Sequence, residues 1–118
     1  MKQPLKTFTS TLVAGIAAAM FSGGALALDV DAAKDLMKQN KCTQCHGMAK
    51  DKDGPGFNKV AAKYKGKADG EAKLVTHLST GPTVKLSDGT EEEHKVVKTS
   101  PAKDAAQIKN LVQYILTL

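Results

Sequence analysis

Apolar residues return at helical spacing in four stretches of this chain. Val30, Ala33, Leu36 and Met37 set the first, which predicts an amphipathic helix over Asp29 to Lys41 with Asp29 or Asp31 near its N-cap. Phe57, Val60, Ala61 and Tyr64 set a short second helix, closed by Gly66. Ala72, Leu74, Val75 and Leu78 set a third, which starts at Asp69 or Gly70 and stops at Gly81-Pro82. Ile108, Leu111, Val112 and Ile115 form an i, i+3, i+4, i+7 stripe, the cleanest periodicity in the chain, in a final helix starting near Lys103 or Asp104. Between these lie a loop from Gly47 to Gly56, punctuated by Gly54-Pro55-Gly56, and a long irregular connection from Pro82 to Ser100. Within that connection Asp88-Gly89 is a turn signal between Val84-Lys85-Leu86 and His94-Lys95-Val96-Val97, which predicts a small β-hairpin. The expected fold class is all-α.

The first residues read differently. Lys2 and Lys6 make a positive start, an apolar run follows from Leu12 to Phe21, and Ala25-Leu26-Ala27 is a small-x-small cleavage site. Residues 1–27 are therefore expected to be a cleaved signal peptide, and residues 28–118 one small domain in the periplasm. The apolar run is too short to span a bilayer and is broken by Ser22-Gly23-Gly24, so no stable membrane insertion is expected.

Composition adds two constraints. The formal net charge is +5, of which Lys2 and Lys6 supply two, and every strongly basic residue is lysine. Without arginine, planar bidentate recognition of phosphate or bases is poorly served, and no nucleic-acid partner is expected. Lys59, Lys63, Lys65 and Lys67 are the densest basic cluster, a solvated helix face or a docking patch for acidic redox proteins. The domain after Ala27 keeps only Phe57, Tyr64 and Tyr114 as aromatics, a thin core for an independent fold.

The candidate chemistry sits at Cys42-Thr43-Gln44-Cys45-His46. Two thiols at this spacing can form thioethers to the two vinyl groups of one haem, and the histidine that follows then lies under the iron. Such a covalent haem would supply the apolar bulk that the side chains lack. A structural disulfide would close a very tight loop. A thiol–disulfide oxidoreductase would want a strand before Cys42, and zinc a second Cys/His pair at ligand spacing. Neither is present in the sequence.

With these features the chain resembles the small bacterial class I cytochromes c along nearly all of residues 28–118. The matching residues are the helix running into Cys42-x-x-Cys45-His46, the Gly54-Pro55 step, the helix ending in Gly81-Pro82, and a C-terminal helix with Tyr114-Ile115-Leu116. The resemblance implies N- and C-terminal helices crossing around one haem c, with the haem edge partly exposed. It also implies that the Pro55 carbonyl accepts a hydrogen bond from His46, the proximal ligand, and so orients the imidazole.

One departure is informative. The family places a methionine before the last helix as the sixth ligand, and this chain has none after Met48. Met37 falls on the core face of the first helix, and Met48 is too close to His46 to reach the other haem face. His94 stands about where the family's methionine would fall, so bis-histidine ligation by His46 and His94 is expected. His77 reads as a partly exposed helix residue, and Glu91-Glu92-Glu93 as a solvated acidic run. A six-coordinate haem leaves no position for substrate. That implies an electron carrier between redox proteins rather than an enzyme. The alternative is a haem-based gas sensor in which His94 is labile or off the iron.

Overall fold

The computed structural model describes residues 27–118, so the expected signal peptide lies outside the described residues except for Ala27. The element order is α1 (Val30–Gln39), a single 3-10 turn (Cys42–Gln44), α2 (Phe57–Tyr64), α3 (Gly70–Thr80), β1 (Thr83–Lys85), β2 (Glu91–Glu93) and α4 (Ala105–Ile115). Among the described residues, four helices with one two-stranded antiparallel ribbon make the all-α expectation correct, hairpin included.

The terminal helices form the core. The Asp29 carboxylate accepts the Ala32 N–H at 2.9 Å and starts α1, and Lys38 in its last turn complements the helix dipole. Ala33, Leu36 and Met37 then face Ile108, Leu111 and Ile115 of α4, and Ala33 and Leu111 are fully buried. The Asp104 carboxylate accepts the N–H groups of Ala106 and Gln107 to start α4. Asn110 of α4 pairs with the backbone of Asp29. Its Oδ1 accepts the Asp29 N–H at 2.9 Å and its Nδ2 donates to the Asp29 carbonyl at 2.8 Å. Helices α2 and α3 pack on the same α4, and Phe57 and Val97 close the remaining side of the core.

Two boundaries differ from the sequence expectation. Helix α1 stops at Gln39 rather than Lys41, because Asn40 caps it and Lys41 turns left-handed (φ 54°) to lead into the cysteines. The hairpin pairs Thr83–Lys85 with Glu91–Glu93, not with His94–Val97. Its turn fixes that register. Gly89 takes φ +87°, the Leu86 N–H donates to Thr90 at 2.8 Å, and the Asp88 carboxylate accepts from Thr90. Lys85 therefore faces Glu91, and the acidic run becomes the second strand while staying exposed.

Four carboxyls, Asp51, Asp69, Asp88 and Asp104, are held below the ordinary carboxylate range. Their main causes are hydrogen bonds from Lys59, Lys73, Thr90 and the Gln107 backbone respectively. A depressed folded-state pKa gives stability that is complete above the unfolded value and is lost as pH falls through the folded one. The thermal midpoint should therefore fall as pH drops below about 4. A midpoint that is flat or rising over that interval contradicts these assignments.

Candidate functional site

The left-handed Lys41 reverses the chain into the 3-10 turn, where the Cys45 and His46 N–H groups both donate to the Cys42 carbonyl (3.3 and 3.0 Å). Cys42 is half-buried against the core and Cys45 is exposed. Burial pushes the Cys42 thiol above its usual range. The loop then folds back on itself: Gly54 N–H donates to Cys45 O at 2.8 Å and Phe57 N–H to Gly47 O at 2.8 Å.

This fold-back places the His46 ring. Its Nδ1 lies 2.7 Å from the Pro55 carbonyl. A carbonyl can only accept, so Nδ1 carries the proton and Nε2 keeps its lone pair for a metal. Phe57 stacks on the ring at 5.0 Å between centroids. Gly54 lies against its other atoms: a Cβ there would sit 2.6 Å from Cε1.

Across from His46 is His94, one residue past β2. The ring centroids are 6.1 Å apart, tilted by 46°. Metal–imidazole bonds of about 2 Å, plus about 1 Å from Nε2 to each ring centre, put two imidazoles on one iron roughly 6 Å apart. His94 Nδ1 lies 2.8 Å from the Lys95 carbonyl, which again leaves Nε2 free. Burial lowers the pKa of His94, which favours the neutral, ligating form.

Both rings line a cavity of about 440 Å³. Its walls include Phe57, Val60, Leu74, Leu78, Leu86 and Ile115, and Cys45 stands at its edge. Apolar walls, the Cys45 thiol at the edge and the His46 and His94 imidazoles fit a covalently attached haem. Among the described residues no methionine lines this cavity: Met37 is in the core, and Met48 is 44% exposed beside a separate groove with Thr43 and Gln44.

The match to known proteins agrees with that chemistry. Residues 30–118 match the family model described as cytochrome c. This chain belongs to the cytochrome c family. Members of the family bind one covalent haem c. Among solved structures, the chain is similar to the class 1 cytochrome MtoD from Sideroxydans lithotrophicus ES-1. The two are 54% identical over 77% of this chain and 97% of that one, with a TM-score of 0.71. It is also similar to cytochrome c552 of Nitrosomonas europaea. Identity there is 29% over 72% of this chain and 98% of that one, with a TM-score of 0.57. A cytochrome c-551 of Pseudomonas denitrificans is 40% identical over 48 residues, a match that spans 41% of this chain and 58% of that protein.

Within this cytochrome fold the structure corrects or extends several sequence expectations. His77 is a half-buried residue of α3, as its partly exposed reading expects. It lines the cavity, with its ring 4.4 Å from that of His94. Its place three residues after Leu74 and one before Leu78, on the buried face of α3, was the available signal. Of the four clustered lysines, Lys59 and Lys63 reach the cavity mouth. Lys65 and Lys67 are not among its lining residues. Lys85 and Lys95 join the mouth from the hairpin side, which helical spacing cannot reveal. Lys59 pairs with Asp51, and the Lys63 ammonium lies 5.4 Å from the centre of the Tyr64 ring.

Proposed function

We propose that this chain is a periplasmic mono-haem cytochrome c that carries single electrons between redox proteins, with both axial positions taken by histidine. Cys42 and Cys45 hold the haem as thioethers, His46 is the proximal ligand oriented by the Pro55 carbonyl, and His94 is the distal ligand. The observation that carries this reading is the 6.1 Å separation of the two imidazoles across an apolar cavity, each with Nδ1 engaged by a carbonyl. With both axial sites filled by side chains, the same ligands serve both oxidation states and little rearrangement accompanies electron transfer. Such a site favours transfer over substrate chemistry.

Export rests on the Met1–Ala27 pattern. Among the described residues no helix is long and apolar enough to cross a membrane. Docking is assigned to the cavity mouth, where Lys59, Lys63, Lys85 and Lys95 would meet acidic groups on a partner. Asp53, Glu92 and Glu93 also line that mouth, so orientation rather than bulk charge would select the partner.

The test is an EPR and optical spectrum of the purified holoprotein beside His94→Ala and His77→Ala. The expected result is a low-spin bis-imidazole spectrum in wild type and His77→Ala, lost in His94→Ala. Loss in His77→Ala with retention in His94→Ala would transfer the distal role to His77. A high-spin wild type that binds carbon monoxide at once would favour a gas-binding protein instead.

A further inference from the structure

The segment that carries His94 is anchored from two sides. On one side the anchors are backbone. The His94 N–H donates to Pro82 O and the Val97 N–H to Leu78 O, both at 2.9 Å. Gly81 lies so close that a Cβ on it would come 2.4 Å from the His94 carbonyl. The other side holds a single side chain, Asn40, the residue that caps α1. Its Nδ2 donates to the Lys98 carbonyl at 3.0 Å and its Oδ1 accepts the Lys98 N–H at 2.8 Å. Nδ2 also donates to Leu36 O at 3.0 Å, which fixes the amide's orientation from its own helix.

Asn40 lies two residues before Cys42, and Lys98 four residues after His94. One amide therefore joins the haem-attachment segment to the loop bearing the distal imidazole. We propose that Asn40 is a positioning residue for the sixth ligand: it holds the His94 loop closed over the cavity and so sets how often the distal side opens to outside ligands. This rests on the assignment of His94 to the iron. Only asparagine suits the place. Aspartate would turn an acceptor toward the Leu36 and Lys98 carbonyls, leucine has neither donor nor acceptor, and glutamine is one methylene too long. The apparent rate of external ligand binding scales with the population of the open loop.

Asn110 provides a matched control. It makes the same two-point pairing with the Asp29 backbone, but at the far end of α1 from the His94 loop. The experiment follows carbon monoxide binding to the reduced holoprotein, and hydrogen exchange of the Lys98 amide, in Asn40→Asp, Asn40→Leu, Asn110→Leu and His94→Ala. The expected result is roughly tenfold faster carbon monoxide association in both Asn40 variants. Lys98 exchange should speed up with it, and both should stay unchanged in Asn110→Leu. Two variants of different chemistry guard against one that fails to fold. Fast binding in His94→Ala with wild-type rates in the Asn40 variants overturns the clamp alone, as does an equal acceleration in Asn110→Leu. Binding as slow in His94→Ala as in wild type overturns the ligand assignment, and the clamp with it.

Discussion

His94→Met should raise the reduction potential, by an amount on the order of 100 mV within the 0.8 V or so that axial ligands span. An imidazole donates more strongly than a thioether and favours Fe(III), while Met/His ligation raises the potential. The substitution is suited to the site. The His94 backbone stays held by Pro82, and methionine is long and unbranched enough to cover the same cavity. Voltammetry of the two proteins at one pH and ionic strength decides the matter. A potential that does not move, or that falls, would mean that residue 94 is not on the iron.

The second large effect is expected at Gly54→Ala. The added Cβ would sit 2.6 Å from Cε1, 3.0 Å from Nδ1 and 3.2 Å from Nε2 of His46. Those are rigid ring atoms, and Phe57 stacks on the same ring at 5.0 Å, which limits where it can turn. It must move out of line with Pro55 and lose its 2.7 Å hydrogen bond. Partners that orient a metal-bound histidine contribute about 10- to 100-fold in affinity or activity. A comparable weakening of the iron–His46 bond is expected, read as proximal-ligand loss at milder acid or denaturant concentration than in wild type. Gly54 is not among the glycines with positive φ, so the backbone itself accepts alanine and the effect isolates the clash. Pro55→Ala should be far milder, because Pro55 contributes only its carbonyl. Equal behaviour of Gly54→Ala and wild type would show that the ring is not confined as described.

Much of this was readable from the residues. The Ile108-Leu111-Val112-Ile115 stripe and the Val30-to-Met37 stripe place the two core helices, because burial of one face imposes a period near 3.6 that no other constraint obscures. The Cys42-to-His46 motif is local, so its chemistry survives in one dimension. The hairpin register was not legible. Its β-favouring residues, Val96 and Val97, argue for a strand that the turn at Asp88-Gly89 assigns instead to three glutamates. Gly54 could be read as loop punctuation but not as a neighbour of a ring eight residues earlier. The lysines at the cavity mouth were half legible: those on α2 cluster in sequence, while Lys85 and Lys95 arrive through tertiary structure. The partial exposure of His77 was legible, but its ring contact with His94 was not, because helical spacing does not say what stands opposite.

The glutamate strand also bears on how crowded molecules of this protein meet. A two-stranded ribbon has open edges on both sides, and such edges are templates for pairing with a second chain. Antiparallel contact between two copies of β2 would set Glu91, Glu92 and Glu93 of one against the same three of the other. Like charges directly opposite across a ladder are destabilising. Here six carboxylates would face one another on strands whose every residue is exposed. The β2 edge of the ribbon that frames the cavity thus carries its own repulsion, which disfavours pairing of two such edges.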